Sequence, residues 1–283
     1  MNEEFKKVRL DQFVSNKLAI SRKASNDLIK DGKVKINKVL STKPSSKVDS
    51  YDKISISQRA KTSAEIEDIE LPIIYEDDNV VVINKPIGIL THSKGAFNPE
   101  PTVASWLEHR VPSMKGDNRA GIVHRLDRAT SGIMILAKNP ETLAFLQKQF
   151  SQRRTKKCYT AIVEDEINPS EAVIDMPIER NPKRPQTFRV GVNGKPATTH
   201  YKTLELQNGL SLLELKPVTG RTHQLRVHLK HQGHPIVGDT LYGGKVANRL
   251  YLHAQSLEIT LPGGERKTFS AEIPSAFEGY LNA

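Results

Sequence analysis

The sequence contains very little cysteine and no long apolar segment. Cys158 is the single cysteine among 283 residues, which excludes an intramolecular disulfide and a zinc site built on several thiolates. The longest unbroken apolar run covers only the five residues 133–137, whereas a membrane-spanning helix needs roughly 20. The first seven residues mix both charge signs and lead into no apolar core of the kind a secretory signal requires. We therefore expect a cytoplasmic protein that has no membrane partner.

Acidic residues are fewer than basic ones. The chain has 42 lysines and arginines against 32 aspartates and glutamates, a net charge of +10. The imbalance is concentrated in residues 1–60, where 14 basic side chains stand against 7 acidic ones. A surplus of this size favours a polyanionic partner, and nucleic acid is the first candidate.

The N-terminal part of the chain is predicted to form a small α+β domain. Apolar residues at helical spacing predict a first helix, and Ser21 is placed to cap a second one, which Gly32 ends. Two alternating segments then predict short strands with a lysine-rich outer face. We assign this domain to residues 1–64, with its ordered part at about 8–57, followed by an acidic linker to about residue 70.

The remaining residues, 71–283, are predicted to form a larger α+β domain. Asn139-Pro140-Glu141 combines an N-cap, a proline at the first helical position and an early acid, which predicts the start of a helix. Asn208-Gly209 separates two alternating segments, which is the signal of a β-hairpin. Strand signals occur in clusters and not in a βαβ rhythm, so we expect a mixed, largely antiparallel central sheet flanked by helices.

One acidic side chain is conspicuous in the segment 121–132. Asp127 lies among His124, Arg125 and Arg128 and precedes a predicted buried strand. A carboxylate in such surroundings stays ionised and can act as a nucleophile. The simpler interpretation is a surface loop in which Asp127 only pairs with Arg125 or Arg128. The residues alone leave both interpretations open.

A second segment, 220–229, follows a predicted strand and resembles the start of a helix. Its backbone N–H groups and arginines are suited to phosphate, although an ordinary cationic amphipathic helix has the same pattern. Four histidines between 223 and 234 suggest a metal, but Arg226 and Lys230 would repel a cation, so no metal is predicted. The glycine pairs lack the spacing of nucleotide-binding loops, and we therefore predict no nucleotide cofactor.

Two ordered motifs closely resemble those of the RluA-type RNA pseudouridine synthases. They are His124-Arg125-Leu126-Asp127 with Thr130-Ser131-Gly132, and Gly220-Arg221-Thr222-His223-Gln224-Leu225-Arg226-Val227-His228. Further matches at Asn84-Lys85-Pro86, Lys157-Cys158-Tyr159 and Gly238-Asp239 extend the resemblance over about residues 74–276. The N-terminal domain resembles the αL RNA-binding motif first seen in a small-subunit ribosomal protein.

The resemblance implies an enzyme that isomerises uridine to pseudouridine in RNA without a cofactor or a metal. Asp127 corresponds to the nucleophile, which attacks either carbon 6 of uracil or the anomeric carbon of ribose. Arg221 corresponds to the arginine that pairs with this carboxylate. Tyr159 corresponds to the tyrosine beside the base, where its hydroxyl could assist removal of the carbon 5 proton.

By the same resemblance, the target uridine leaves its stack, which costs a few kcal/mol. Arg125 would fill the gap, and Leu225 would pack against the uracil face. The implied substrate-binding residues are His124, Arg125, Thr130 and Leu225.

Further RNA contacts are expected on the basic segments, each of which could also be a solvated face. The candidate RNA-binding residues are Arg9, Ser21, Arg22, Lys23, Lys33, Lys35, Arg153, Arg154 and Lys156. The N-terminal motif accompanies many members of the family that act on ribosomal RNA. Large-subunit ribosomal RNA is therefore the expected substrate, with transfer RNA as the alternative.

Two other functions fit parts of the sequence. A non-catalytic RNA-binding ribosome-assembly factor would keep the fold, but it would not require Asp127, Tyr159 and Arg221 together. A histidine-dependent RNA hydrolase would use the histidines of 223–234 and shorten the RNA, whereas isomerisation leaves RNA length and mass unchanged. One connected active site per chain suggests that a monomer suffices.

Overall fold

The computed structural model describes residues 7–18, 20–57, 69–92, 100–114 and 120–282. The chain divides into two compact units, an N-terminal one and a larger one that begins at Ile69. The predicted boundary at residue 64 and most of the acidic linker lie outside the described residues. Among the described residues, no helix combines the length and apolar character needed to cross a bilayer.

In the N-terminal unit, the described residues form two helices and five short strands. They are β1 (Val8–Arg9), α1 (Leu10–Leu18), α2 (Arg22–Lys30), β2 (Val34–Ile36), β3 (Val39–Leu40), β4 (Lys47–Val48) and β5 (Ile54–Ile56). Strands β3, β2 and β5 form an antiparallel sheet in that order, and β1 pairs with β4. The core consists of Leu10, Val14, Leu28, Ile29, Val34 and Val48.

The helix cap, the helix end and the exposed lysines predicted for this unit are confirmed. The Ser21 hydroxyl accepts the Ala24 N–H at 3.2 Å and caps α2. Gly32, with φ +69°, follows the helix in the left-handed conformation that glycine adopts without a steric penalty. Lys33 and Lys35 are exposed on either side of buried Val34, so the lysine side chains of this segment face solvent as predicted.

The residues of the larger unit that the structure describes form eleven further strands and four further helices. They are β6 (Ile73–Glu76), β7 (Val80–Lys85), α3 (Val103–Arg110), β8 (Ser131–Ala137), α4 (Pro140–Ser151), β9 (Lys156–Glu164), β10 (Glu171–Asp175), β11 (Ile178–Arg180), β12 (Phe188–Val190), β13 (Thr198–Gln207), β14 (Leu210–Pro217), α5 (Gln224–His231), β15 (Leu252–Thr260), β16 (Arg266–Ser270) and α6 (Ala276–Leu281). A short 3₁₀ helix (Pro112–Met114) follows α3.

Nine of these strands form one sheet in the order β10-β13-β14-β9-β15-β8-β7-β6, with β16 paired to β15. Strands β8 and β15 run parallel, and the other named pairs of this sheet are antiparallel. The predicted mixed, largely antiparallel sheet is therefore confirmed. Strands β11 and β12 pair separately.

The predicted helix start and hairpin are also confirmed. Asn139 caps α4 by accepting the Thr142 N–H at 2.9 Å, and Leu146 on this helix is fully buried. Asn208 and Gly209, with φ of +52° and +71°, form the turn between β13 and β14. Positive φ at both central residues matches the right-handed twist of the strands that the turn joins.

The loop that carries Asp127 ends at the start of β8. Here the backbones of β8 and β15 approach so closely that a Cβ on Gly132 would lie 2.2 Å from the Ala254 carbonyl oxygen. Glycine is therefore required at this position, which also has φ +120°. The close approach anchors the end of the Asp127 loop on the centre of the sheet.

Candidate active site

A cavity of about 120 Å³ is lined by three main segments of the larger unit and by Leu252 of β15. The loop before β8 contributes Asp127, β9 contributes Tyr159, and the segment leading into α5 contributes Arg221. Other predicted residues that line the cavity are Arg125, Thr130 and Leu225. The fold thus brings together side chains that lie up to about a hundred positions apart in the sequence.

Asp127 reaches the cavity with its carboxylate partly exposed. Its Oδ2 lies 3.1 Å from Nη1 of Arg226 and 3.6 Å from Nε2 of His223. The N–H of Thr130 donates to the Asp127 carbonyl at 3.1 Å and closes the turn that holds the loop. The Asp127 carboxylate thus has a cationic partner within hydrogen-bond distance, and a carboxylate can act as a nucleophile.

Arg226 is itself buried and held by a second acid. Its Nε and Nη2 each donate to Asp239 at 2.7 Å, one to each carboxylate oxygen, and its guanidinium lies 5.0 Å from the ring centre of Tyr242. Burial alone would lower the pKa of Arg226, but the hydrogen bonds and charges of Asp239 and Asp127 raise it above its ordinary value. The guanidinium is therefore a fixed cation beside Asp127.

The predicted pairing of Arg221 with Asp127 is wrong, because Arg226 makes this contact. Nε of Arg221 donates instead to the Pro196 carbonyl at 3.0 Å. The reason is where α5 begins. Residue 221 precedes the helix, whereas residue 226 lies within it and reaches Asp127.

Tyr159 and Lys157 line the cavity from β9. Burial, together with the charge of Asp127, raises the pKa of Tyr159 well above its ordinary value, so the phenol keeps its proton at neutral pH. Nζ of Lys157 donates to the Thr219 carbonyl at 3.3 Å, and burial lowers the pKa of this lysine to about 8. These two side chains give the cavity one neutral and one cationic donor.

His124 lies beside this cavity but not among its lining residues. Its Nε2 accepts the Ile135 N–H at 3.1 Å, and its ring stacks on Phe150 with 4.6 Å between centroids. Burial lowers the pKa of His124 to about 3, which keeps the ring neutral. His124 therefore ties the loop to β8, and it lines a neighbouring cavity of about 390 Å³ together with Arg125.

Lys85 supports the same loop from inside the protein. It is fully buried, and its Nζ donates to the carbonyls of Pro86 at 2.8 Å and Ile89 at 3.0 Å. A third carbonyl, that of Arg128, lies at 3.5 Å. Burial lowers the pKa of Lys85 to about 8, against the opposing charge of Asp127. Lys85 thus joins the end of β7 to the residue next to the candidate nucleophile.

Sequence reasoning missed three further residues around Asp127: Asp239, His223 and Tyr242. His223 precedes α5 in the left-handed conformation with φ 57°, and its Nδ1 lies 2.7 Å from the Tyr242 hydroxyl. Burial lowers the pKa of His223, although the charge of Asp127 opposes this shift. Gly238-Asp239 was present among the matched motifs, but its contact with Arg226 depends on the tertiary fold.

The histidines considered for a metal face different partners. His228 contacts Thr199 Oγ1 and the Met176 carbonyl, each at 3.0 Å, and His234 contacts the Glu164 carbonyl at 3.0 Å. Within the part of the chain that the structure describes, no three potential metal ligands form a group. The ring nitrogens of His228 and His234 are therefore used in hydrogen bonds to Thr199 and to backbone carbonyls.

In the N-terminal unit, two predicted RNA-binding arginines share one acid. Arg9 donates to both carboxylate oxygens of Asp11 at 3.0 Å, and Arg22 donates to Oδ2 at 2.9 Å. Ser21 is used as a helix cap, so its hydroxyl already has a structural partner. Lys23, like the strand lysines described above, is exposed.

Comparison with known proteins identifies two family profiles. One, described as RNA pseudouridylate synthase, matches residues 79–231, and one described as S4 domain matches residues 8–54. A curated protein named ribosomal large subunit pseudouridine synthase D, from Borreliella burgdorferi, is 44% identical over 224 residues, which is 76% of this chain and 68% of that protein. A protein of the same name from Vibrio parahaemolyticus is 36% identical over 286 residues, covering 94% of this chain and 87% of that one.

Solved structures show the same likeness. The structure described as Human RNA Pseudouridylate Synthase Domain Containing 4 is 29% identical with a TM-score of 0.60, covering 75% of this chain and 92% of that one. Human RNA Pseudouridylate Synthase Domain Containing 1 is also 29% identical, with a TM-score of 0.58, covering 76% and 95% of the two chains.

Proposed function

Since this chain belongs to the RNA pseudouridylate synthase family, we propose that it converts uridine to pseudouridine in large-subunit ribosomal RNA, with Asp127 as the nucleophile. We assign the role of nucleophile to Asp127 because its carboxylate lies in the cavity, 3.1 Å from a buried arginine. The names of the curated relatives and the S4 match in the N-terminal unit support the choice of RNA.

The reaction requires one nucleophile and no co-reactant. The bond from uracil N1 to the ribose anomeric carbon breaks, the base rotates, and a bond from carbon 5 to the same ribose carbon forms. The bond to Asp127 then breaks, and the proton that carbon 5 loses is balanced by one that N1 takes up. Asp127 attacks either carbon 6 of uracil or the anomeric carbon. Arg226 stabilises the negative charge that the carboxylate carries before attack and after release.

Tyr159 and Leu225 form the walls against which the uracil ring lies. The aromatic ring of Tyr159 offers a stacking surface, and buried Leu225 offers an apolar one. Because its pKa is raised, the Tyr159 hydroxyl is a hydrogen-bond donor at neutral pH. This favours a contact to the base over direct removal of the carbon 5 proton by a phenolate.

Arg125 is placed to compensate for the nucleotide that leaves the RNA stack. It is exposed and lines both the catalytic cavity and the cavity next to it. Arg221 lines the same two cavities and binds the Pro196 carbonyl through Nε. We assign Arg221 to the RNA backbone, because Arg226, and not Arg221, contacts Asp127.

RNA next to the target nucleotide lies, in this proposal, along a basic groove that continues from the catalytic cavity. The groove consists of the 390 Å³ cavity and a further cavity of about 520 Å³, which have Arg153, Thr155 and Lys157 in common. Its cationic lining residues are Arg125, Arg153, Lys156, Lys157, Lys216 and Arg221. The acidic lining residue Glu258 is paired with Lys156 at 3.2 Å. Such an excess of cations fits a phosphate backbone.

The N-terminal unit provides a second RNA contact. Arg9, Arg22, Lys23, Lys33 and Lys35 are exposed cations on its surface. We assign the reaction to the cytoplasm, in keeping with a single cysteine in 283 residues. A monomer suffices, since one chain supplies Asp127 and the cavity around it.

The test is tritium release from RNA labelled at carbon 5 of uridine. An unmodified large-subunit ribosomal RNA transcript is expected to lose tritium to water with the wild-type protein, whereas transfer RNA transcripts are not. Asp127→Asn, which keeps the size of the side chain, is expected to bind the transcript and release no tritium. Binding without release by the wild type would favour an assembly factor, and shortened RNA would favour a hydrolase.

A further inference from the structure

Resting on the proposed function, we infer that His223 is a positioning residue for Asp127, with its Nε2–H directed at the carboxylate by a hydrogen bond from Tyr242 to Nδ1. His223 lines the catalytic cavity directly before α5. Tyr242 lies behind it, with its ring against the guanidinium of Arg226. The two residues thus connect the protein interior to the candidate nucleophile.

The hydroxyl of Tyr242 lies between two nitrogen atoms. The backbone N–H of Phe188 donates to it at 2.9 Å, and its oxygen is 2.7 Å from Nδ1 of His223. The first contact occupies a lone pair of the oxygen, so the hydroxyl's own hydrogen remains available for donation. Among the described residues, Nδ1 of His223 is the acceptor within reach of that hydrogen. Nδ1 therefore accepts and carries no hydrogen.

The remaining ring proton must then be on Nε2. Burial lowers the pKa of His223, with neighbouring arginines acting in the same direction and Asp127 and Asp239 opposing. Burial also raises the pKa of Tyr242 to about 12, so its hydroxyl keeps its hydrogen at neutral pH. A neutral imidazole that accepts at Nδ1 donates from Nε2.

Nε2 of His223 faces the same carboxylate oxygen as Arg226. It lies 3.6 Å from Oδ2 of Asp127, and Nη1 of Arg226 lies 3.1 Å from that oxygen. The histidine distance is longer than a normal hydrogen bond, and contacts of this kind shorten when substrate closes an active site. With both donors directed at Oδ2, Oδ1 is the oxygen that attacks.

The backbone supports a specific role for this side chain. His223 has φ 57° and ψ 20°, a left-handed conformation that only a few per cent of non-glycine residues adopt, histidine more often than most. Its ring packs edge-on against Phe188 and Tyr242, with centroids 5.6 and 5.5 Å away. The test must therefore separate ring packing from the hydrogen bonds of the ring nitrogens.

The tautomer can be read by NMR in the full-length protein labelled with ¹⁵N-histidine. Comparison with the spectrum of His223→Gln assigns the His223 signals. We expect a protonated Nε2 and an unprotonated Nδ1, and a shift of the Nδ1 signal in Tyr242→Phe, which removes only the hydroxyl. A wild-type protein with the proton on Nδ1 would overturn the inference.

Steady-state kinetics test whether the hydrogen bond from Tyr242 to His223 contributes to catalysis. Tyr242→Phe is expected to lower kcat by about fivefold to tenfold while KM changes less than about twofold, because it misplaces a reacting group without removing a binding contact. His223→Phe keeps an aromatic ring and is expected to lose more, and His223→Gln, which can both accept and donate, to recover part of the loss. Tyr280→Phe removes a hydroxyl on α6 and is the matched control. An unchanged kcat in Tyr242→Phe would overturn the positioning role.

These outcomes separate the inference from the proposed function. If the wild-type protein forms no pseudouridine in ribosomal or transfer RNA, the proposed function is wrong. If it forms pseudouridine and Tyr242→Phe retains the wild-type kcat, only the role of His223 is wrong. Should His223→Phe fail to fold, the NMR tautomer and the Tyr242→Phe kinetics still decide.

Discussion

Both units pair arginine with aspartate, but they differ in which partner is buried. In the N-terminal unit the carboxylate is inside: Asp11 is 1% exposed and holds Arg9 and Arg22, which are 46% and 60% exposed. In the larger unit the arginine is inside: Arg226 is 9% exposed and holds Asp127, which is 18% exposed. The buried partner fixes the geometry, and the more exposed partner is presented to the ligand. In the proposed function, the exposed cations of the N-terminal unit bind a polyanion, and the exposed anion of the larger unit attacks a substrate carbon.

The largest expected effect follows from removing the negative charge of Asp127. Asp127→Asn is expected to lower kcat for pseudouridine formation by at least about 10³-fold, because an amide is a poor nucleophile. The dissociation constant for RNA should change little. Asp165→Asn makes the same charge change at an exposed residue with φ 62°, a conformation that asparagine tolerates, and should behave as wild type. Near-normal turnover by Asp127→Asn would remove Asp127 from the mechanism.

Removing the buried cation should damage both stability and activity. Arg226→Met leaves Asp239 buried without its bidentate partner, and breaking a buried pair in this way costs about 3–5 kcal/mol in the free energy of unfolding. Urea denaturation measures this loss, and kcat should fall as well because Asp127 loses its anchor.

The double variant Arg226→Met with Asp239→Leu sharpens the same test. It removes both buried charges, so it should regain part of the stability without regaining activity. Arg221→Met is the control for stability, because Nε of Arg221 contacts only a backbone carbonyl. If Arg221→Met destabilised the protein as much as Arg226→Met, the roles given to the two arginines would be reversed.

Removing the buried anion of the N-terminal unit should weaken RNA binding without abolishing it. Asp11→Asn leaves the charges of Arg9 and Arg22 in place but removes the carboxylate that holds both of them. We expect the dissociation constant for ribosomal RNA to rise by roughly threefold to tenfold, or about 0.7–1.4 kcal/mol, because both arginines keep their charge and lose only their fixed position. Equal affinity for Asp11→Asn and wild type would show that arginine placement is unimportant here.

The same aspartate gives stability a defined pH dependence. The hydrogen bond from Arg9, with a smaller contribution from Arg22, lowers the pKa of Asp11 from 3.8 to about 2 against the opposing effect of burial. Because the folded-state pKa lies below the unfolded one, this stabilisation is complete above about pH 4 and is lost as the pH falls towards 2. Thermal unfolding between pH 6 and pH 2 should show a smaller pH-dependent loss for Asp11→Asn than for wild type. Parallel curves would contradict the assigned pKa.

The smallest expected effect concerns Ser21, which the sequence predicted both as a helix cap and as an RNA contact, and which the structure uses as a cap. Ser21→Ala should lower the free energy of unfolding by about 1 kcal/mol, and Ser21→Gly by only a few tenths. Neither should change the affinity for RNA by more than about twofold. A large loss of affinity at unchanged stability would restore Ser21 as an RNA contact.

Features determined by adjacent residues could be predicted from the sequence. The cap at Asn139, the turn at Asn208-Gly209 and the end of α2 at Gly32 each depend on a few neighbouring positions, and each is confirmed. The two-residue strands β1, β3 and β4 were not predicted, because so short a strand has no periodicity to detect.

The partner of Asp127 was beyond sequence reasoning for a physical reason. Arg221 and Arg226 occur in one motif, and the choice between them depends on whether the helix begins before or after residue 221. The helix begins at Gln224, after a histidine in a left-handed conformation that has no side-chain cap. The sequence indicated a helix start within 220–229, but no capping side chain marks the first helical residue, and the Arg226 contact with Asp239 forms only in the folded unit.

The most direct test of the central claim is carbodiimide-based mapping of pseudouridine in ribosomal and transfer RNA from cells with and without this protein. We predict that one or a few signals in large-subunit ribosomal RNA disappear without the protein and return with the wild type, but not with Asp127→Ala. An unchanged map, or full restoration by Asp127→Ala, would contradict the account.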